Sequence, residues 1–478
     1  MLALEPPPAL GASGARWPPR RGGTVGPLSG MSVEPYREIT FDKEGDGPAG
    51  QSAALAALAR QGVTDLVVFA HGWNNSPSGA TRLCSDFFEP FPGLLAPGVE
   101  AGYAGVIWPS MMFTGEPVSD YRALVTVLPE KEPVIDRLTE LLATAPPDEA
   151  AFAEFGALLR DLTDVPSGGG PEGFSEAAEP VPEFLVADPV DVCAVFTEAL
   201  EPAGPGPGVA APGAVGPDDV GLGVVGPDGV GPGVVGPDGV GPGVVGPGGY
   251  GEEGFGEGLK RYWKGAREVL RQATYYVMKK RSGQVGEFGL GPLLGEVARA
   301  APRLRVHLVG HSMGARLVAC ALKGLPPGAR PVASVTLLQG AFSHYAFAAQ
   351  LPHDTRRSGA LRDMQQRVRG PVVACYSRHD TALGVMYPLA SRLANDDAEA
   401  VPGARLLGLD DPRWGAIGHD GVQAVPGTVV RPLAALLREG VPASGFVSVD
   451  ASDVVSGHSD IRRPELARVV VSAARAGR

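Results

Sequence analysis

The residues with the clearest chemical meaning are Gly310-His311-Ser312-Met313-Gly314, set between an apolar run at 303–309 and an apolar helical pattern at 313–325. A serine at a sharp strand-to-helix turn is lifted clear of the sheet edge. Its neighbours two residues to either side must then be small, as Gly310 and Gly314 are. The turn also sets the hydroxyl at a helix N-terminus, where unpaired N–H groups favour a developing negative charge. Ser312 is therefore the candidate nucleophile, and Gly310, His311 and Gly314 complete its elbow. Attack on an acyl carbon needs two backbone N–H donors aimed at the oxyanion. The residue after the nucleophile, Met313, supplies one. The other is expected from a loop closing an earlier strand, and His71-Gly72-Trp73 follows the continuous apolar run 65–70. Either Trp73 or Gly72 can supply it, and Gly72 lets the backbone approach closely. Taken alone, His71-Gly72-Trp73 also reads as an ordinary strand-end turn.

With these motifs in those contexts, the chain resembles the α/β-hydrolase superfamily in its lipase and esterase branch. The resemblance covers residues 36–108 and 259–474, and not the first 30 residues or the long insertion between. It implies the chain order nucleophile, acid, histidine. Asp380, just past the apolar segment 371–376, is the expected acid, with a helix N-cap as its plain structural alternative. Of the eight histidines, two fall in a late loop: His419 in Ile-Gly-His-Asp-Gly and His458 in Ser-Gly-His-Ser-Asp. His458 lies between the last strand and the last helix, where the family places its base, and is preferred. His419 is the alternative base. The implied chemistry is nucleophilic catalysis through an acyl-enzyme, with no metal and no other cofactor. The substrate is expected to be a small-molecule ester or a lipid ester. Two other readings stand beside it: a thioesterase or acyltransferase using the same triad, and a non-catalytic binding or scaffold protein on the same fold.

Around these residues, apolar strands alternate with helical patterns, which predicts a mostly parallel twisted sheet flanked by helices, the α/β-hydrolase fold. Strands are expected at 36–41, 65–70, 103–108, 303–309, 333–338, 372–376, 405–409 and 446–449. Helices are expected at 52–60, near Thr81, and at 313–325, 384–393 and 464–474. The alternation divides the chain into a disordered extension at 1–30, a first core part at 31–108, an insertion at 109–256 and a second core part at 257–478. Within the insertion, helices are expected at 134–145 and 149–162 and read as a cap. A decapeptide repeat, VGPDGVGPGV and its variants, follows over 215–249. Proline and glycine at that density prevent helices and sheet ladders, so this low-complexity segment reads as a flexible loop. Its G-x-G-x-x-G matches at Gly221, Gly231 and Gly241 lack the strand and helix a dinucleotide site requires. The amphipathic stretch 259–280 carries Lys260, Arg261, Lys264, Arg267 and Arg271 on one face. It reads as a helix packed on the sheet with a solvated basic side.

Bulk composition narrows the classes further. A net charge of −12 argues against nucleic-acid binding. Cys84, Cys193, Cys320 and Cys375 follow neither metal-ligand nor disulfide-framework spacing, which suits a reducing compartment. The N-terminus lacks an apolar secretory core, and no transmembrane segment is expected, so a cytoplasmic location is expected. Met31 is a candidate start residue, because ordered-looking sequence begins there. Protein partners are not specified by these features.

Overall fold

The computed structural model describes residues 30–73, 75–110, 122–165, 183–200, 252–383 and 415–477. The N-terminal extension up to residue 29, the decapeptide repeat, the helix expected at 384–393 and the strand expected at 405–409 lie outside the described residues.

Among the described residues, eight strands form one sheet in the order β1-β3-β2-β4-β5-β6-β8-β7. They are β1 (Tyr36–Thr40), β2 (Asp65–Ala70), β3 (Ala101–Ile107), β4 (Arg305–His311), β5 (Val332–Leu338), β6 (Pro371–Tyr376), β7 (Val429–Pro432) and β8 (Gly445–Asp450). Every neighbouring pair is parallel. All strand C-termini therefore emerge at one edge. The order reverses between β2 and β4, since β3 lies on the far side of β2. Crevices at such a reversal, beyond the strand C-termini, are where open α/β sheets hold ligands.

The sheet is buried on both faces because side chains alternate along each strand. In β2, Leu66, Val68 and Ala70 join one apolar cluster, while Val67 and Phe69 join the other. The first face is covered by α1 (Gln51–Arg60), α9 (Gly291–Ala300) and α10 (Met313–Gly324). The second is covered by α2 (Pro77–Phe88), the short α3 (Phe91–Leu94) and the C-terminal helix Pro464–Ala474. Ser76 caps α2 by accepting from the Gly79 N–H at 3.0 Å, and Pro77 occupies its first turn, where a missing N–H costs nothing.

Between β3 and β4 the chain builds α4 (Arg122–Val127), α5 (Glu132–Thr144), α6 (Glu149–Thr163), α7 (Pro189–Leu200) and α8 (Glu252–Gln284). Trp263 of α8 stacks on Phe152 of α6, with ring centroids 4.4 Å apart, and donates to the Pro146 carbonyl at 2.9 Å. Thr197 of α7 accepts from the Gly265 N–H at 3.0 Å, where α7 and α8 touch closely. Lys260, Arg261, Lys264 and Arg267 are exposed on α8, while its apolar side is buried. A π-helical turn, Val285–Leu290, joins α8 to α9 and packs on α10. No helix among the described residues is long and apolar enough to cross a membrane. The four cysteines are buried and unbridged.

Candidate functional site

Ser312 sits between β4 and α10 with φ 56° and ψ −121°, a conformation an L-residue adopts only when its surroundings force it. The neighbouring strand holds it there. Its N–H donates to Leu338 O at 3.0 Å, and its carbonyl accepts from Ala341 N–H at 3.1 Å. The glycines are required by contact. A Cβ on Gly310 would run into the Gly314 carbonyl, and one on Gly314 would run into the carbonyls of Ala70 and His71. Gly72 brings the β2 loop against the elbow, where an added Cβ would lie 2.9 Å from Ser312 Cβ and 2.9 Å from His311 Nδ1. Met313 is the first residue of α10, so its N–H is among those the helix itself leaves unpaired.

The β2 loop is braced from several sides. Trp108 Nε1 donates to His71 O at 3.0 Å, and its ring stacks on His71 at 5.7 Å. Asn75 Nδ2 donates to the carbonyls of Gly72 and Trp73, both at 3.2 Å. Trp73 packs edge-on against Tyr275 of α8, which links the helical layer to this loop. Trp108 is buried, packed behind His71.

Asp380 follows β6 and is fully buried. One carboxylate oxygen accepts from the Leu383 N–H at 3.1 Å and the other from His458 Nδ1 at 2.8 Å. One oxygen thus caps the segment that follows it, and the other faces the His458 ring. His458, on the connection between β8 and the C-terminal helix, places Nε2 2.8 Å from Ser312 Oγ. A carboxylate only accepts, so Nδ1 carries the imidazole proton, and Nε2 is left to accept from the serine hydroxyl. Ser312, His458 and Asp380 come from three separate strand ends and form one continuous hydrogen-bonded line.

The two other histidines beside the serine are neutral. Burial pushes His71 down to about 4, against the contrary pull of the Gly72 carbonyl. Burial, with repulsion from His458, pushes His311 down to about 3. No fixed positive charge therefore adjoins the nucleophile from these rings.

His419 takes a different partner. It lies on the short helix Ile417–Asp420 with Nδ1 2.8 Å from one oxygen of Asp420, whose other oxygen is 3.0 Å from His344 Nδ1. The hydrogen bond to Asp420 raises the pKa of His419. Burial pushes Asp420 up, yet the hydrogen bonds from His344 and His419 outweigh it and hold the carboxyl well below its usual range. His379 is exposed next to Asp380, as its place at a strand end suggests.

A second serine–histidine–aspartate set lies inside the sheet. His307 Nε2 is 2.8 Å from Asp65 and Nδ1 is 2.9 Å from Ser334 Oγ, with all three side chains buried. Arg305 adds a contact to Asp65 at 2.7 Å. Residue types alone thus do not set the two groups apart; the partly exposed ring of His458 and the strained backbone of Ser312 do. Sequence reasoning missed His344, Asp420, Gln339 and Ser377 as partners in this region. The signal available for Gln339 was a polar residue ending the apolar run of β5, and for Ser377 a polar residue just past β6. Among the described residues no group of three or more His, Cys, Asp or Glu is placed to hold a metal ion.

No family model, curated protein or solved structure matches this chain.

Proposed function

We propose that the protein is a serine hydrolase of the α/β-hydrolase fold that cleaves carboxylic or lipid esters through an acyl-enzyme. The observation that carries this reading is the unbroken line Ser312 Oγ–His458 Nε2–His458 Nδ1–Asp380 Oδ2, with both hydrogen bonds at 2.8 Å. The strained backbone of Ser312 and the close seat of Gly72 support it. So does the origin of each group at the C-terminal edge of a parallel sheet, in the order nucleophile, acid, base.

His458 Nε2 accepts the Ser312 proton as Oγ attacks the ester carbon, and a C–O bond to Oγ forms. Negative charge gathers on the carbonyl oxygen, beside Gly72-Trp73 and the first N–H of α10, where backbone donors stabilise it. The imidazolium passes its proton to the leaving alcohol as the ester C–O bond breaks. Water then attacks the acyl-enzyme with His458 again as base, and Ser312 recovers its proton when the acid leaves. Asp380 fixes the tautomer throughout and stabilises the charged ring. The helical layer built by α5 to α8 serves as a cap that selects the acyl or alcohol portion.

A fluorophosphonate probe tests the reading, since only an activated serine is phosphonylated. The expected result is a single adduct at Ser312, lost in Asp380→Asn, followed by turnover in a panel of esters of graded acyl length. An intact, folded protein that takes up no probe at Ser312 would refute it.

A further inference from the structure

The imidazole of His458 hangs from a connection with no regular structure, next to Gly457, which has open space where a side chain would be. Asp380 holds only the ring. The ring's position also depends on the backbone beneath it, and three buried side chains grip that backbone. Ser377 Oγ donates to Val455 O at 2.7 Å, Gln339 Nε2 to Gly457 O at 3.0 Å, and His311 Nε2 to His458 O at 2.8 Å. They come from the ends of β6, β5 and β4 in turn. We propose that Ser377, Gln339 and His311 form a three-point clamp that positions the general base, so that His311 and Gln339 are positioning residues for the reaction. This rests on the reading of His458 as base.

Two features set this clamp apart from incidental packing. Gln339 Oε1 and His311 Nδ1 are both buried without a hydrogen-bond partner among the described residues. Each side chain thus leaves one polar atom desolvated, an arrangement an apolar residue would avoid, while its other polar atom reaches the loop. Gln339 also holds φ 42°, an uncommon conformation that accompanies its reach toward Gly457. The donors are well defined. His311 is kept neutral by burial, and a carbonyl 2.8 Å from Nε2 requires the proton on that nitrogen. Because His311 is also the residue before the nucleophile, one ring spans the gap between serine and base loop. A shift of either is felt by the other.

The test compares His311→Leu, His311→Gln, Gln339→Met and Ser377→Ala in the full chain, each checked by circular dichroism and thermal melting. Two readouts are taken well below the melting temperature. The first is the rate of fluorophosphonate labelling at Ser312. The second is the far-downfield proton resonance of the His458 Nδ1–H···Asp380 bond, assigned by its loss in Asp380→Asn. We expect His311→Leu to slow labelling about 100-fold, the cost of roughly 1 Å of misplacement, and to broaden the resonance. Gln places an amide N–H near the lost Nε2–H, so His311→Gln is expected to recover both. Gln339→Met should act in the same direction as His311→Leu. Ser377→Ala, the mildest change, should give a smaller loss and keeps the test open if a larger substitution fails to fold. Unchanged labelling and an unchanged resonance in the folded variants overturn the clamp. A wild-type protein that shows the resonance but does not label sinks the hydrolase reading instead, and the resonance in the variants still decides the clamp.

Discussion

Replacing Gly72 by alanine should disable the site by crowding alone, because glycine has no side chain to react and keeps its backbone N–H in the variant. The new methyl carbon would lie 2.9 Å from Ser312 Cβ and 2.9 Å from His311 Nδ1. Ordinary carbon contacts are about 3.5–4.0 Å, so a retreat of roughly 0.6–1.1 Å is needed. Gly72 does not have the positive φ that favours glycine, so the effect is steric rather than conformational. Neither neighbour is the loose end of a side chain. Ser312 Cβ is fixed by the elbow, and the His311 ring is bonded to His458 O. The retreat therefore falls on the 2.8 Å contact between Ser312 and His458. Misplacement of about 1 Å costs on the order of 100-fold in rate, or about 2.7 kcal/mol of barrier. Overpacking should also cost about 1–3 kcal/mol of stability. The assay is the fluorophosphonate labelling rate at Ser312 under pseudo-first-order conditions, with a parallel melt. Gly93→Ala serves as control, because a Cβ there meets nothing within 4 Å, and both readouts should stay at wild-type values. If Gly72→Ala labels within about threefold of wild type while folded, the steric reasoning built on the misplacement estimate is wrong.

Three further outcomes are expected. Ser312→Ala should abolish labelling and keep the strained backbone, whereas Ser312→Gly should also abolish labelling but melt higher than the alanine variant. The strain released, about 1–3 kcal/mol, exceeds the roughly 0.5–1 kcal/mol that glycine's extra freedom costs, and equal melting temperatures would show that the elbow is not strained. His458→Ala should lose several orders of magnitude in turnover while folded His419→Ala keeps most of it, and the reverse result would exchange their roles. The third concerns the His344–Asp420–His419 cluster. Asp420 has a depressed pKa, so its contribution is full above its unfolded value of 3.8 and fades as pH falls toward the lower folded value. His419 has a raised pKa, so its contribution is full below its unfolded value of 6.5 and fades as pH rises through the folded value. The melting temperature lost in Asp420→Asn should therefore be greatest between pH 3.8 and 6.5 and narrow on either side. A loss that is flat across pH would show that the cluster does not titrate with folding.

The parts of the site that were legible in the sequence are those built locally. Strand, turn and helix around Ser312 are contiguous, so the small residues at Gly310 and Gly314 announce the elbow before any fold is known. The C-terminal helix Pro464–Ala474 was legible to the residue, because Pro464 opens it and its apolar positions recur at helical spacing. The strands read slightly shifted: β3 runs Ala101–Ile107 and β4 runs Arg305–His311, since pairing rather than apolarity sets where a ladder ends. β7 was missed. It is a four-residue edge strand ending in Pro432, mostly exposed, and only its pairing with β8 defines it. The helix α9 and the π-helical turn before it were missed because Gly286, Gly289, Gly291 and Gly295 imitate a loop. Those glycines lie at close approaches, as where Gly286 meets the Leu317 carbonyl of α10. His458 and Asp380 are 78 residues apart and could be paired only by chain order, while the clamp residues had no spacing rule at all.

The buried contact of Asp65, His307 and Ser334 has a consequence for how accurately the sheet presents its upper edge. It crosses β2, β4 and β5, the strands that end in the Gly72 loop, in Ser312 and in Gln339. A slip of one residue in any of them would turn its side chains to the opposite face, and this polar bond would then be buried and broken. Apolar neighbours can exchange partners with little loss, whereas a carboxylate, an imidazole and a hydroxyl accept only one alignment. The network therefore acts as a datum mark. It lies five residues below Ser312, a height of roughly 16 Å along the strand, and from there it fixes the level at which the three strand ends face one another.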